Sequence, residues 1–372
     1  MALRIVTINA GSTSLKVECY DLATPIPPLA QPPPPSFSED ARVSDAAELF
    51  SRCFATPADA VAHRMVYTPA SFLAVQALDA ASVRALQHGA DDAPLHSHPA
   101  LNLVGLVSIL QPTIRQYAVA DSAFHRTLPP PAQTYALPRK LTEQGLRRIG
   151  YHGLSHEYAA SRGAALAGID ITNARIITAH LGGGSSLCAI RNGESIDTTM
   201  GFTPLDGVPM ATRSGAVDPG LLVHLLKQGM TVSELDTMLE RESGLLGISG
   251  ISGDVRTLLD TPEASARLAL DVFCWRVRAS IGACIASLGG LDLLVFTGGI
   301  GEHAATIRER ILEGGLGYGL SLDPSTNAGN HEGCIHGSTS GTPVVIVNAR
   351  ENWQLARQIA NAVSEHKFPD TI

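Results

Sequence analysis

Three short Gly/Ser runs stand where strands would end: Ala10-Gly11-Ser12-Thr13-Ser14, Gly182-Gly183-Gly184-Ser185-Ser186 and Gly298-Gly299-Ile300-Gly301. Backbone N–H groups in such turns can converge on phosphate oxygens, because glycine removes the Cβ that would block approach. One such turn is a weak cue, and a plain connection is its alternative; three after strands are harder to set aside. No GxxxxGK[ST] run occurs, which excludes a P-loop enzyme. Cations accompany the turns. His152 and His156 are four residues apart, a spacing open to a zinc pair or to structural histidines; no HExxH glutamate lies between them, and Gly153 weakens a helix there. Arg213 lies among small residues in Met210–Gly215, which leaves its guanidinium free to face a ligand, a structural salt bridge being the alternative. Two carboxylates follow strands: Asp121 after Tyr117–Ala120, and Glu351 shortly after Val344–Val347. Such positions suit Mg²⁺, which takes a few hard oxygens and keeps its waters, although Glu351 could equally open the last helix. These pieces add up to a phosphate-handling enzyme of two domains.

The elements that must position them can be read from period and punctuation. Leu3–Asn9 and Leu15–Tyr20 are apolar, β-branched strands around the first turn. Arg175–His180 and Leu187–Ile190 flank the second turn in the same way, so strand, hairpin, strand occurs twice, as an internal repeat. Between the copies, Thr24–Phe37 is too rich in proline for a central strand or helix and reads as an extended, solvated loop. Ala46–Phe54, Ala80–Gln87 and Ala100–Leu110 have helical spacing, with Asp79 as N-cap of the second. From about Glu263 to Leu288 a long helix is expected, with Leu270, Cys274, Val277, Ile281, Cys284 and Leu288 on one stripe. Pro262 and Glu263 suit its first turn and Gly289-Gly290 its stop. Leu291–Thr297 is a buried strand, with a helix from about Ala304 after the third turn, and Asn352–Glu365 closes the chain as an amphipathic helix.

Composition sets the outer bounds. With 372 residues, 45% of them hydrophobic, two cores are the default. Plentiful glycine (35) and proline (23) with only 5% aromatics fit an α/β enzyme with many tight turns. A net charge of −8 leaves no basic surplus for a nucleic-acid partner. The opening MALRIVTINAGSTS lacks the apolar run of a signal peptide and no stretch reaches transmembrane length, so no membrane partner is expected. The six cysteines, without CxxC spacing, read as buried free thiols of a reducing cytoplasm.

Taken together, Ile8–Lys16, Ala179–Ser186, Asp197–Gly207 (DTTMGFTPLDG) and Gly299–Glu302 resemble the signatures of the acetate kinase family, with similarity from Leu3 to Ala360. The resemblance implies an α/β fold of two duplicated domains of the acetate kinase/Hsp70/actin-like (ribonuclease H-like) type, with a nucleotide cleft between them. It assigns 1–121 plus 352–372 to the N-terminal domain and 122–351 to the C-terminal one. It implies reversible, Mg²⁺-dependent (or Mn²⁺-dependent) in-line transfer of the ATP γ-phosphoryl group to acetate, giving acetyl phosphate and ADP. A propionate or butyrate kinase, or a weakly active nucleotide-binding paralogue, is the alternative.

By the same resemblance, Asn9, Ser12, Ser14 and Lys16 match the first phosphate turn, and His180, Gly182, Gly183 and Gly184 the second. Asp254, Val255, Arg256, Gly299, Ile300 and Gly301 match the adenosine pocket. Arg64 and Arg213 match the arginines that hold the carboxylate and the phosphoryl group, His152 the histidine at that group, and Asp121 the catalytic aspartate. Asn9 and Glu351 match the metal site. Val66, Leu95, Tyr151 and Pro204 match the apolar pocket for the acid's methyl group, with Tyr151 where most of the family has Phe. Family members usually have Asn at Gly183, His-Gly-Gly after a His-Arg-Val-Val run where this chain has His63-Arg64-Met65-Val66-Tyr67-Thr68-Pro69, and His-Asn-Pro-Pro-Asn at His96–Ala100. A homodimer through the second domain is implied, and the stripe of the long helix offers apolar surface for one, or for the core.

Overall fold

The computed structural model describes residues 2–11, 14–24, 26, 32–66, 68, 72, 74–89 and 94–364, with backbone alone at 89 and 94–97. It divides into two compact units, Met1–Phe124 with Arg350–Ile372, and His125–Ala349. In the first, β1 (Ala2–Ala10) and β2 (Ser14–Ala23) pair antiparallel, Ala10 opposite Leu15. Pairing continues to β3 (Phe37–Arg42), while β4 (Ala60–Met65) and β6 (Arg115–Ala120) add in parallel on the other side of β1. The edge strand β5 (Val75–Ala77) closes the order β3-β2-β1-β4-β6-β5. Because side chains alternate along a strand, Val6, Ile8 and Ala10 of β1 and Leu15, Val17 and Cys19 of β2 share one face. There they meet α1 (Ala46–Cys53) and α3 (Pro94–Leu110) through Leu49, Phe50, Leu103 and Val107. Between them, α2 (Ala80–Gly89) is capped by Asp79, which accepts from the Ser82 N–H at 2.7 Å.

The second unit repeats the plan. Its sheet is ordered β11-β12-β10-β7-β8-β9, built from β7 (Arg175–Leu181), β8 (Ser185–Arg191), β9 (Glu194–Thr198), β10 (Leu293–Thr297), β11 (Gly333–Cys334) and β12 (Val344–Ile346). Read from the other end, this matches the first sheet strand for strand, including the antiparallel edge strand that precedes its neighbour in the chain. The repeat expected from two hairpins therefore extends over whole sheets.

The helices of this unit are α4 (Pro130–Gln133), α5 (Arg139–Glu143), α6 (Gly153–Ala167), α7 (Pro219–Lys227), α8 (Val232–Arg241), α9 (Gly244–Ser249), α10 (Val255–Leu259), α11 (Ala264–Leu288), α12 (Gly298–His303), α13 (Ala305–Leu312) and α14 (Pro324–Gly329). Alternation along β7 sends Ile177, Ala179 and Leu181 toward α11, whose stripe of Leu270, Cys274, Val277, Ile281, Cys284 and Leu288 is buried with them. Thr178 and His180 point the opposite way, toward α6. That helix lies close on the sheet: a Cβ on Gly163 would meet Val295 Cγ2 at 2.6 Å. The last described element, in the first unit, is α15 (Glu351–Ser364), where Trp353 packs on Tyr20 with ring centroids 5.6 Å apart.

Several expectations are corrected. Glu263 is the N-cap of α11 with extended backbone and Ala264 begins the helix, while Gly289 ends it in the left-handed region at φ 73°. The third glycine run is itself helical, as α12, and a separate α13 follows. The third helix starts six residues before Ala100 and carries Pro99 within it. β10 and β12 are slightly shorter than expected, and α15 starts at Glu351. Five cysteines are buried free thiols, but Cys334 is exposed. Within the proline-rich stretch, 32–35 have no regular structure, and 25 and 27–31 lie outside the described residues. No helix among the described residues is long and apolar enough to cross a membrane.

Candidate functional site

In each unit the parallel strands end at one edge of the sheet, and polar side chains gather there. In the first unit, Asn9 near the end of β1 donates from Nδ2 to Glu351 Oε2 at 2.8 Å and accepts at Oδ1 from Arg64 Nη1 at 3.1 Å. Arg64, near the end of β4, donates from Nη2 to Asp121 Oδ2 at 2.9 Å. Glu351, Asn9, Arg64 and Asp121 thus form one chain of bonds across β1, β4 and β6 and the start of α15. The Asp121 side chain is wholly buried and that of Arg64 is 12% exposed. Burial alone would lower the arginine's pKa, but the nearby charges of Asp121 and Glu351, with the Asp121 hydrogen bond, hold it above its ordinary value. The guanidinium is thereby fixed in position and permanently charged.

At the first turn the Gly11 N–H donates to the Ser14 carbonyl at 2.8 Å, and Lys16 pairs with Glu18 at 3.1 Å. Ser12 lies outside the described residues. Val66 is buried just beyond β4; Leu95 begins α3 with its side chain outside the described residues. Among the described residues no three His, Cys, Asp or Glu side chains converge as a metal site. Glu351 and Asn9, bonded to each other, carry oxygen atoms of the hard kind that divalent ions take.

In the second unit the β7–β8 hairpin is the centre. His152 precedes α6 with left-handed backbone, φ 56°. Its ring stacks on that of His180, centroids 4.4 Å apart, and its Nδ1 lies 3.0 Å from Ser186 Oγ. That hydroxyl also lies 2.8 Å from Nε2 of His156, whose Nδ1 is 2.7 Å from Thr178 Oγ1. The two histidines four residues apart are joined by one serine of β8, which accounts for their spacing without zinc. His180 is oriented in turn by Ser155, Nδ1 to Oγ 2.8 Å. A Cβ on Gly184 would lie 3.2 Å from His152 Cε1 and 3.7 Å from Arg213 Nη1, so both side chains reach the hairpin backbone there.

Arg213 is carried by a turn bolted to its neighbours. The Ala211 N–H donates to the Gly183 carbonyl at 3.2 Å, tying the turn to the hairpin tip. Opening N–H groups of α9, from Leu245 and Leu246, donate to Met210 and Ala211 carbonyls. Gly244 permits this contact, since at φ 60° a Cβ there would meet the Met210 carbonyl at 2.2 Å. Arg213 Nε donates to Glu240 Oε2 at 3.0 Å, which anchors one side of the guanidinium. The salt-bridge reading of this arginine is thus the one borne out.

The adenosine candidates come from two elements. Asp254 caps α10 by accepting from the Arg256 N–H and pairs with the Arg256 side chain at 2.7 Å, while Val255 is buried. Gly299, Ile300 and Gly301 lie in α12, and the Gly299 nitrogen is 3.8 Å from where a Gly182 Cβ would sit. Near Pro204, two phenols clamp one residue: the Phe202 N–H donates to Tyr135 Oη at 2.7 Å, and Tyr151 Oη donates to the Phe202 carbonyl at 2.6 Å. Arg148 adds bonds to the carbonyls of Thr198, Thr199 and Met200. Glu240, Tyr135 and Arg148 escaped the sequence reading, and Ser186 entered it only as part of the hairpin run, because each acts on a partner tens of residues away with no local signature.

The family model described as the Acetokinase family matches residues 53–357. The chain belongs to the acetokinase family. Curated relatives named "Acetate kinase" extend the match beyond that span. One from Synechococcus is 40% identical over 96% of this chain and 99% of its own length, and one from Gloeobacter violaceus is 40% identical over 96% and 98%. Among solved structures, Porphyromonas gingivalis acetate kinase aligns at TM-score 0.85 and 31% identity, covering 96% of this chain and 98% of its own. A propionate kinase from Francisella tularensis aligns at 0.84 and 30%, covering 96% and 98%. As a family member this acetokinase is a phosphotransferase with a carboxyl group as acceptor, working on a nucleotide and a small acid.

The Tyr151 hydroxyl, unusual by resemblance, has the Phe202 carbonyl as its partner. Replacing Tyr151 by Phe leaves that carbonyl without its phenol donor and should lower unfolding free energy by about 1–2 kcal/mol in urea titration. Unchanged stability would show that the clamp contributes nothing.

Proposed function

We propose that the chain is an acetate kinase, catalysing reversible, Mg²⁺-dependent in-line transfer of the γ-phosphoryl group from ATP to acetate. The observation that carries this reading is the convergence of His152 and Arg213 on the bare backbone at Gly184. A transferring phosphoryl group is metaphosphate-like, with negative charge spread over its oxygens, so positioned donors and cations do most of the work. The acceptor is a carboxylate, ionised at neutral pH like the side chain of Glu, and needs no strong base. One of its oxygens attacks phosphorus while the bond to the β–γ bridging oxygen breaks, and ADP leaves with the electron pair. Arg213, anchored by Glu240, and His152, oriented by Ser186, would hold the transferring group. Arg64 would hold the acid, with Asp121 as its orienter; a carboxylate already engaged with a guanidinium is poorly suited to act as a base.

The backbone of 182–184 with His180, and Asn9, Ser12, Ser14 and Lys16, would cradle the phosphates, and Asp254–Arg256 with Gly299–Gly301 the adenosine. Asn9 and Glu351 would hold Mg²⁺ or Mn²⁺. Once bound, the ion neutralises phosphate charge. A methyl-sized pocket would draw on Val66, Leu95, Tyr151 and Pro204. Acetate is favoured over propionate because the curated relatives that match 96% of the chain carry the name acetate kinase. We place the enzyme in the cytoplasm, as its free cysteines suit.

We also propose a homodimer. The stripe of α11 is core, but Leu268 and Trp275, seven residues apart and so on one helical face, are 55% and 66% exposed. A patch of that kind favours self-association. Light scattering should give twice the chain mass, and Trp275→Glu should shift it toward the monomer; a monomer for the unsubstituted protein at all concentrations would refute this.

ADP release with acetate, propionate and butyrate tests the activity. Acetate should give the highest kcat/KM, with each added methylene opposed by about 1–3 kcal/mol, so propionate remains a slow substrate. In the same assay Arg213→Ala should lower kcat by a factor of about 10³ or more with the fold intact. Preference for butyrate would overturn the pocket, and full activity in Arg213→Ala would overturn the mechanism.

A further inference from the structure

Arg308, on α13, has a fully buried guanidinium, and among the described residues no carboxylate bonds to it. Its five N–H groups meet five neutral acceptors. Nε donates to Asn327 Oδ1 at 2.7 Å, Nη1 to the carbonyls of Gly301 at 2.8 Å and Glu302 at 3.0 Å, and Nη2 to the Asn327 carbonyl and Asn330 Oδ1, both at 2.7 Å. That is the whole donor capacity of an arginine, used in one plane. Burial pulls its pKa down to about 10 against the opposing charge of Glu309, so it remains charged at neutral pH. A buried cation satisfied only by neutral groups is costly, and an apolar side chain would fill the space at less expense. What the guanidinium supplies instead is a rigid fork joining three places: the end of α12, the body of α14 and its left-handed cap Asn330.

The end of α12 is the part that matters for chemistry. This helix is six residues long, so most of its carbonyls lack helical partners, and Arg308 takes two of them. Its other end starts at Gly298, φ 78°, where a Cβ would meet the Leu181 carbonyl at 2.7 Å. The helix is therefore held at the hairpin strand on one side and by Arg308 on the other. Glu302 adds a third tie by accepting from the Ala349 N–H at 2.9 Å. Gly299 and Ile300 lie between these anchors.

We propose that Arg308 is a positioning residue for the nucleotide: by fixing α12 it sets where Gly299 and Ile300 meet the adenosine. This rests on the reading of Gly299 and Ile300 as adenosine contacts. Lysine, with three donors and no fork, cannot reproduce the five bonds.

Calorimetric binding of ADP and of pyrophosphate to the full chain tests it, using Arg308→Lys, Asn330→Gly and Ile300→Ala. Asn330→Gly keeps the left-handed backbone and removes a single acceptor, so it folds even if the arginine variant does not. ADP binding should weaken about tenfold in Arg308→Lys and less in Asn330→Gly, with pyrophosphate affinity unchanged within about twofold, because only the adenosine side is disturbed. A purely structural role would lower Tm and leave the ADP-to-pyrophosphate affinity ratio where it was, which overturns the proposal. Equal loss for both ligands overturns it too. Ile300→Ala separates the layers: if it weakens ADP while the other two variants do not, the positioning role fails alone. If Ile300→Ala leaves ADP binding intact, the adenosine reading fails and the proposal with it.

Discussion

His152 and Arg213 can both stand against the backbone of one hairpin because residue 184 has no Cβ. A methyl group there would press on the imidazole at 3.2 Å and approach the guanidinium at 3.7 Å. Much of the second unit serves that approach. Ser186 and Ser155 fix the two stacked imidazoles, and α6 lies close on the sheet because Gly163 lets it. The Ala211–Gly183 bond and the start of α9 fix the turn that carries Arg213. Each device restricts a donor before any ligand arrives, which is where fixed dipoles gain their advantage over water.

The first unit solves a related problem by different means. Its arginine is held from the inside, by a buried carboxylate and by the side-chain amide of Asn9, which also bonds Glu351. Removing one partner of such a buried pair leaves the other charge uncompensated, typically a loss of about 3–5 kcal/mol. Asp121 is thus a structural necessity for Arg64 as well as a candidate part of the chemistry. Arg308 shows a third way of ordering a cation, with neutral acceptors only.

Features with a local cause were legible in the sequence. The two glycine hairpins announced a duplication that the sheets carry strand for strand, the stripe of α11 predicted a buried face, and Asp79 caps the helix after it. Motif-length runs identified the family, which the match over 53–357 bears out. What stayed hidden depends on partners far apart in the chain. The spacing of His152 and His156 left zinc open until Ser186, some thirty residues on, was seen between them. Arg308 lies in an ordinary helical run, and its acceptors come from α12 before it and from α14 and its cap after it. Strand β3 follows directly on the proline-rich stretch and, with Ser38, Glu39 and Asp40 polar in a row, lacks the alternation that would mark a strand.

The central claim is that two side chains must reach the hairpin at Gly184, and Gly184→Ala tests it most directly. The backbone there is open to alanine, so the variant should fold and bind ADP within a few-fold of the unsubstituted protein. Turnover should fall by about 10²-fold, as expected when catalytic groups are displaced by an ångström or less. An unchanged kcat would contradict the account, since neither His152 nor Arg213 would then need the space that glycine leaves.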